Sequence, residues 1–430
     1  MSQAEGSAPT PTRSEENVPR FFCGIDWSEG WNDVAVIDAQ GAVVAQARIL
    51  ETPEGHKQVL SLLSGLSTSQ RHSRRQVPIA IETGRSLLVA ALLKARQPVI
   101  AINPTIVANY RGRVSPAKKR KSDRSDAQLL ANIIRTDGHL HRPLPAHSEQ
   151  LLALTELSRA HSHAVRQQQY YLRRLRSQLR VFYPAALQAW ASLPKKILRP
   201  EARAMLHVAP TPAQAAKLKH RQIADTLAAA GRTRLIADEA DRLRELFRQP
   251  QLRQRPAVEE AMGTAMLSTL ACLDRADRLA ATLEAEATEA FMAHPQAKIY
   301  CSFPGVGPVL GVRLLAEIGD DPNRFISGRG LRAYAGVAPL TWSSGGSRSV
   351  THRKIANKRL KVTCHLWAFA SLTRSPGARA HYDRRREVGD RYAAALRNLS
   401  GRLLSCLHHC LAHDLLYQEE AAFPPTPLDA

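Results

Sequence analysis

Residues 21–50, FFCGIDWSEGWNDVAVIDAQGAVVAQARIL, decide the fold of the first part of the chain. Residues 21–26 form a short apolar run, and residues 33–38 alternate in an extended pattern. Residues 42–49 resume that pattern after an Ala-Gln-Gly turn. A period of two with turn residues between the runs is typical of strands that follow one another in the sheet. The stretch therefore predicts a three-stranded meander.

The segment that follows alternates between helices and strands. Thr52 and Pro53 have the N-cap and first-turn chemistry of a helix start. The later elements are a strand at 77–82, a helix at 85–94, a strand at 98–103 and, after a basic stretch, a helix through Asp126 and Leu130. Leading strands and then alternating elements predict an α/β domain over residues 21–145.

The middle of the chain, residues 146–298, is predicted to be helical. Two runs, 154–182 and 258–283, keep apolar residues three or four positions apart, which predicts two long helices with an apolar seam. The seam has two interpretations. The two helices form an antiparallel hairpin closed on itself, or they form a coiled-coil-like stalk that joins two copies of the chain.

Residues 299–417 are predicted to form a mainly α-helical domain. The turn Phe303-Pro304-Gly305-Val306-Gly307-Pro308 precedes an apolar helix, and such a turn leaves backbone N–H groups that can hold a phosphate. This opening is similar to a helix–hairpin–helix DNA-backbone binder. The two ends of the chain, residues 1–20 and 418–430, are predicted to be a disordered tail and a loose tail.

Composition indicates a polyanionic partner. The 430 residues include 60 Lys and Arg against 38 Asp and Glu, a formal charge of +22. Charge of that size favours nucleic acid as the partner. The sequence has no apolar run of membrane-spanning length and no secretory signal at its start, and its six cysteines are thinly spread. We therefore expect a cytoplasmic, nucleoid-associated protein rather than a membrane protein.

Four acids lie where an α/β sheet brings side chains together. Asp26 ends the first predicted strand and Glu82 ends the fourth, while Asp123 and Asp126 lie three residues apart on one helix face. Four clustered carboxylates repel one another unless a cation neutralises them, and carboxylate oxygens suit Mg²⁺ or Mn²⁺. Two such ions stabilise the attacking and leaving oxygens of a phosphoryl displacement.

Each acid also has a purely structural interpretation. Asp26 fits a turn residue at a strand end, Glu82 a solvated strand terminus, and Asp123 with Asp126 a helix cap. The adjacent basic run favours the metal site for the set taken together. That run supplies four cations that are predicted to bind nucleic acid: Lys118, Lys119, Arg120 and Lys121.

A second candidate site is the serine and glycine segment at 338–347, APLTWSSGGS. Small residues around a hydroxyl allow a phosphodiester to approach, and glycine N–H groups can face its oxygens. A strip of cations follows and is predicted to bind nucleic acid: Arg348, Arg353, Lys354 and Lys358. The structural alternative is a Ser/Gly loop followed by a solvated basic helix.

The combination of motifs resembles the DEDD transposases of bacterial insertion sequences, the bridge-RNA-guided serine recombinases. The first half contributes the Asp-bearing strand, IETG at 81–84, Asn103-Pro104 and the DxxD pair. The second half contributes PGVG, YAGVAP at 334–339 and the SSGG segment. The resemblance covers residues 21–415, and it rests on the order and spacing of several motifs.

This resemblance implies a RuvC-like, RNase H-type fold whose tetrad, Asp26, Glu82, Asp123 and Asp126, binds Mg²⁺ or Mn²⁺. It also implies a nucleophilic serine in the last domain, Ser344, with Ser343 as the close competitor because the doubled serine allows a slip of one residue. In the family, a structured RNA pairs with donor and target DNA. The helical region joins protomers into dimers that pair as tetramers. The active site is composite, because the tetrad of one subunit meets the serine of another.

The predicted function is the excision and insertion of a mobile element by DNA cleavage and rejoining. Two alternatives come from other classes of protein. A RuvC-like hydrolytic nuclease or resolvase would activate water at the tetrad, and its products would be cut but unjoined. A non-catalytic DNA-binding protein would use only the helix–hairpin–helix-like turn and the basic strip.

Overall fold

The computed structural model describes residues 20–66, 76–114, 123–145, 147–322, 324–344, 347–353 and 355–424. The chain divides into two compact units, Met1–Ala146 and His147–Ala430. The predicted tail at 1–20 lies outside the described residues except for its last position. The further division of the second unit into a helical region and a last domain stays a prediction.

The first unit contains one mixed five-stranded sheet. Its strands are β1 (Phe21–Trp27), β2 (Trp31–Asp38), β3 (Val43–Leu50), β4 (Ile79–Ile81) and β5 (Val99–Ala101). The strand order is β3-β2-β1-β4-β5, with β1, β2 and β3 antiparallel and with β4 parallel to both β1 and β5. The predicted meander and the two later strands are confirmed.

In the part of the first unit that the structure describes, four α-helices accompany this sheet. They are α1 (Pro53–Gly65), α2 (Leu87–Lys94), α3 (Pro104–Val114) and α4 (Asp123–Asp137). Thr52 caps α1 as predicted, because its side chain accepts a hydrogen bond from the N–H of Gly55 at 3.2 Å. Helix α3 was not predicted. Its signal was the Asn103-Pro104 pair, in which the Asn103 side chain accepts from the N–H of Thr105 at 2.9 Å.

The two faces of the sheet bury different helices. Ile25 and Ile81 pack with side chains of α1 and α2, whereas Ala80 and Ile100 pack with side chains of α4. Helix α4 lies directly against β1, because a Cβ atom added at Gly24 would stand 1.9 Å from the carbonyl oxygen of Ala127. This close approach fixes the helix on the face of the sheet that carries the predicted acids.

The second unit is mostly helical. Its helices are α5 (Glu149–Phe182), α6 (Pro184–Gln188), α7 (Pro200–Val208), α8 (Pro212–Lys217), α9 (His220–Ala229), α10 (Ile236–Arg248), α11 (Pro256–Met292), α12 (Ala297–Cys301), α13 (Pro308–Ile318), α14 (Gly328–Tyr334), α15 (Lys358–Ser371), α16 (Pro376–Glu387), α17 (Tyr392–His413) and α18 (Glu419–Ala422). Two strands, β6 (Pro339–Ser344) and β7 (Ser347–His352), form an antiparallel hairpin. Among the helices of the described residues, none is long and apolar enough to cross a bilayer.

The two long helices α5 and α11 pack against each other in antiparallel order. His161 lies 3.4 Å from Glu284, and Gln168 donates to Asp277 across the same interface. The predicted antiparallel hairpin is therefore present within one chain, and joining of two copies stays a prediction. Between these helices, Pro200 and Pro212 occupy first-turn positions, so they start α7 and α8.

Two parts of the second unit differ from expectation. A β-hairpin stands where a Ser/Gly loop followed by a basic helix was the structural alternative, and the helix begins only at Lys358. Residues 419–422, expected to be loose, form α18. Glu419 accepts hydrogen bonds from the Ser375 hydroxyl at 2.6 Å and the N–H of Gly377 at 2.8 Å, which anchors the segment.

Candidate active site

Two of the predicted acids leave neighbouring strands at the same end of the sheet. In the parallel pairing of β1 with β4, Ile25 stands opposite Ile81. Asp26 and Glu82 are the next residues of these two chain segments, and both are partly exposed. Because side chains alternate along a strand, Asp26 belongs to the same face as Gly24, which is the face that α4 covers.

The third acid comes from α4. Asp126 precedes Ala127, the residue whose carbonyl group lies against Gly24, so it stands where α4 meets β1. Its side chain is buried and accepts a hydrogen bond from Nη2 of Arg111 at 2.7 Å. A buried carboxylate needs such a cation or an equivalent partner. Helix α3, which the sequence did not predict, supplies that cation.

The fourth acid is placed only by its backbone. Asp123 begins α4, and its side chain lies outside the described part of the chain. The four basic residues 118–121 lie outside it as well. Within the described residues, no three His, Cys, Asp or Glu side chains come close enough together to hold a metal ion. Carboxylate oxygens are nevertheless the donors that suit a hard divalent cation.

A fifth acid of this face was missed from the sequence. Asp33 of β2 stands opposite Asp26 in the β1–β2 register, and only 2% of its surface is exposed. Arg48 of β3 holds it through two hydrogen bonds, Nε to Oδ1 at 3.2 Å and Nη2 to Oδ2 at 2.7 Å. The signal was an acid at the start of an alternating strand with an arginine on the next strand. Arg48 balances the charge of Asp33.

The nearby cysteine does not offer a nucleophile. Cys23 lies in the middle of β1 and has no solvent exposure. Burial raises the pKa of its thiol to about 12, so the thiol stays protonated at neutral pH. Cys23 is therefore not a candidate nucleophile.

The predicted nucleophile lies at the closed end of the β6–β7 hairpin. Ser344 pairs with Ser347 and Ser343 pairs with Arg348, so the two candidate serines lie in the last two residue pairs of the hairpin. The side chains of 342–350 lie outside the described part of the chain, as does all of Lys354. The sequence signal for this hairpin was the Gly-Gly pair between two extended runs, which is typical of a tight hairpin turn.

The start of α15, the helix that follows the hairpin, is tied to a buried acid that the sequence analysis missed. Glu317 of α13 accepts a hydrogen bond from Nδ2 of Asn357 at 2.6 Å and another from Nε of Arg359 at 2.7 Å. Only 6% of its surface is exposed. Asn357 also caps α15, because its Oδ1 accepts from the N–H groups of Arg359 and Leu360. The only sequence signal was one acid in an apolar helix.

Two further side chains take part in this polar network. The hydroxyl oxygen of Tyr334 lies 2.8 Å from Nδ2 of Asn357 and 3.0 Å from Nη2 of Arg324. Arg324 also donates from Nη1 to the carbonyl oxygens of Glu317 and Ile318. These bonds connect the end of α14, the start of α15 and the end of α13, the elements on either side of the hairpin.

A cleft of about 590 Å³ opens beside this network. Tyr334, Ile355, Lys358 and Arg359 are among its lining residues. Lys358 is exposed at the first position of α15. Arg353 is partly buried, and its Nε atom has no hydrogen-bond partner among the described residues. Of the predicted strip, Arg353 therefore directly follows the hairpin and Lys358 begins α15, while Arg348 is placed only by its strand.

The two glycines of the predicted phosphate-binding turn differ from each other. Gly305 has φ of +77° and is pressed against α15, where an added Cβ would stand 2.8 Å from the backbone of Ala370 and of Ser371. Gly307 precedes α13, and an added Cβ there would meet nothing within 4 Å. Gly305 is thus required by packing and by its left-handed backbone, and only Gly307 faces open space.

The chain is similar to known transposases in both halves. Residues 23–184 match the IS110-type DEDD transposase family, described as a transposase. Residues 297–383 match the family described as "Transposase IS116/IS110/IS902 family". The first match contains all four predicted acids, and the second contains the hairpin and Glu317.

Full-length relatives are similar over almost the whole chain. One is the mini-circle putative transposase for IS117 of Streptomyces coelicolor, 48% identical over 95% of this chain and 98% of the relative. Another is the uncharacterised protein of insertion element IS116 of Streptomyces clavuligerus, 26% identical over 95% of this chain and 97% of the relative.

Proposed function

Because the chain belongs to the IS116/IS110/IS902 family of transposases, enzymes that cut and transfer DNA, we propose that it breaks and rejoins DNA through a serine nucleophile. The observation that carries this proposal is the presence of two separate groups in one basic chain. One is an acidic face in the first unit, and the other is a serine hairpin in the second. A purely hydrolytic enzyme has no need of the second group.

In this proposal Asp26, Glu82, Asp123 and Asp126 hold Mg²⁺ or Mn²⁺. Support comes from the shared face of Asp26 and Asp126 and from the adjacent strand ends of Asp26 and Glu82. Such a cation, when bound, stabilises negative charge on the oxygens of the reacting phosphate. Arg111 holds the carboxylate of Asp126 in place, and the Asp33–Arg48 pair adds no net charge to the face.

Ser344 is the proposed nucleophile, and Ser343 is the alternative. The serine hydroxyl loses its proton, its oxygen forms a bond to phosphorus of the scissile phosphodiester, and the bond from phosphorus to the leaving sugar oxygen breaks. The leaving oxygen takes up a proton. The resulting phosphoserine diester keeps a phosphodiester bond, so a second DNA strand can replace the serine without an external energy source.

The resemblance also supports a set of partners. We propose donor and target DNA as substrates, a structured bridge RNA that pairs with both, and dimers that assemble into tetramers. The tetrad of one subunit would then act with the serine of another. The proposed place of action is the bacterial cytoplasm, on nucleoid DNA.

The test is a search for the covalent intermediate. Purified protein is incubated with donor DNA, target DNA, Mg²⁺ and RNA transcribed from the non-coding DNA beside the gene, and denaturing gels reveal protein–DNA adducts. We expect the Ser344→Ala variant to form no adduct, and the Ser349→Ala variant, on the same hairpin, to form it normally. Loss in Ser343→Ala alone would move the assignment by one residue.

Two results would contradict the serine mechanism. An adduct that persists in both Ser343→Ala and Ser344→Ala would refute the serine mechanism. Cut but unjoined products that form equally in both variants would favour the hydrolytic, RuvC-like alternative.

A further inference from the structure

The second half of α5 carries a run of unopposed positive charge. Residues 166–180 contain five arginines and no acid. All five side chains are exposed. They form what we call the arginine stripe: Arg166, Arg173, Arg174, Arg176 and Arg180. Neither the predicted metal site nor the serine hairpin includes any of them.

The stripe occupies the outer side of the helix. Arg166, Arg173 and Arg180 are seven residues apart, so they lie close to one line along the helix, which is opposite to the fully buried Leu175 and Leu179. From Arg166 to Arg180 the line is about 21 Å long at a rise of about 1.5 Å per residue. Tyr170 lies in the same band and is 49% exposed, so an aromatic ring stands among the cations.

The packing partner of α5 does not neutralise this charge. Helix α11 contains several acids, and three of them pair with arginines outside the stripe: Asp274 and Asp277 with Arg203, and Glu259 with Arg253. Among the described residues, none of the five stripe arginines forms an ion pair with an acid. Five like charges within about four turns repel one another unless an external anion lies along them.

We propose that the arginine stripe binds the phosphodiester backbone of a double-stranded nucleic acid. A duplex presents phosphates at a spacing that a line of about 21 Å can follow, and guanidinium groups bind phosphate through paired N–H donors. The stripe of a second copy carries the same charge and would be repelled. Contacts to phosphate alone do not distinguish one base sequence from another. The arginine stripe therefore adds affinity and orientation, and other parts of the protein select the target. Both duplex DNA and duplex RNA present this chemistry.

The test compares two full-length variants that lose the same net charge. The stripe variant is Arg166→Ala/Arg173→Ala/Arg180→Ala, and the control variant is Arg221→Ala/Arg275→Ala/Arg278→Ala, which removes three exposed arginines from α9 and α11. Fluorescence anisotropy measures binding to a 30-base-pair DNA duplex and to the RNA duplex of the same sequence, at several salt concentrations. Light scattering gives the oligomeric state, and thermal unfolding checks the fold.

We expect the stripe variant to bind at least one of the two duplexes about tenfold more weakly or worse near 0.1 M salt. The slope of log K against log salt should fall in magnitude by about two to three for DNA. Weaker binding to both duplexes would identify the phosphodiester backbone that they share as the ligand. Weaker binding to only one would identify that polymer, DNA or RNA, as the ligand. The unfolding temperature should match that of the control variant, because all the mutated side chains are exposed.

Equal binding by the stripe and control variants on both duplexes would overturn the proposal. A change in oligomeric state without a change in binding would also overturn it, in favour of docking onto the exposed acids of α11 in a second copy. This measurement needs no strand cleavage, so its failure is distinguishable from failure of the serine mechanism.

Discussion

The acidic face of the first unit and the serine hairpin of the second are held in place by different forces. Asp26 and Asp126 stand on elements that pack so closely at Gly24 and Ala127 that a single added carbon has no room. The hairpin instead leads into a segment held by hydrogen bonds and charge, with Glu317 and Asn357 at its centre.

This difference indicates which kind of substitution should destabilise each region. A site on a packed sheet and helix is sensitive to volume, because a close-packed core relaxes little around an added atom. A site fixed by a buried polar network is sensitive to the loss of one partner, because the groups left behind stay buried and unsatisfied. Four predictions follow this contrast in order of expected size.

The largest effect is expected from Asp26→Asn. Loss of a carboxylate charge from the proposed metal-binding face should reduce strand cleavage about a thousandfold or more, while the fold is retained because asparagine has the same shape. Glu54→Gln on α1 is the control, since Glu54 is exposed and lies outside the site. Cleavage assays with both variants in Mg²⁺ make the comparison, and normal cleavage by Asp26→Asn would contradict the metal assignment.

Gly24→Ala should destabilise the first unit, because the added carbon has no space. The added carbon meets the carbonyl oxygen of Ala127 and the N–H of Ala131, so we expect the free energy of unfolding to fall by about 3 kcal/mol. Gly112→Ala on α3 is the matched control, because its added carbon meets nothing within 4 Å. That control should be neutral or stabilising by up to about 1 kcal/mol. Hydrogen exchange of the β1 amides, measured in both variants, tests the difference.

Glu317→Ala should affect the hairpin through lost hydrogen bonds. The side chains of Asn357 and Arg359 lose their acceptor, so we expect about 2 kcal/mol less stability and roughly 10- to 100-fold slower strand transfer. Glu317→Gln keeps one acceptor oxygen and should recover part of the transfer rate. A transfer rate that follows thermal stability alone in both variants would reduce Glu317 to a purely structural role.

The control for Glu317 is another glutamate of the same unit. Glu245 of α10 is exposed, and it lies outside the Glu317 network. A surface substitution of this kind costs little, so Glu245→Ala should change stability by less than about 0.5 kcal/mol and leave strand transfer unchanged.

The smallest effect is expected within the turn before α13. Gly307→Ala should change the free energy of unfolding by less than about 0.5 kcal/mol, because the added carbon points into open space. Its effect on DNA binding should be a loss of a few fold if phosphate oxygens approach the turn. Gly305→Ala should destabilise the unit clearly, since its left-handed backbone packs against α15. Binding titrations and thermal unfolding of both variants separate these roles.

Local patterns predicted much of the fold. The meander, the capped helix at Thr52 and the two long helices follow from the period of apolar residues and from cap chemistry, which act over a few neighbouring residues. The hairpin at β6 and β7 was missed although its Gly-Gly signal was present. The structural alternative assigns the cations after it to a basic helix, because a charge pattern alone does not distinguish a strand from a helix.

The sequence by itself determined which residue types carry the chemistry: the four spaced acids, the doubled serine and the excess of arginine and lysine. The tertiary structure decided which of them have partners. Arg111 reached Asp126 from an unpredicted helix, and Glu317 became the centre of a network. The five arginines of the stripe form no ion pair with an acid among the described residues. The reason is physical: period and capping act between neighbours along the chain, whereas burial and ion pairing depend on segments that meet only in the folded chain.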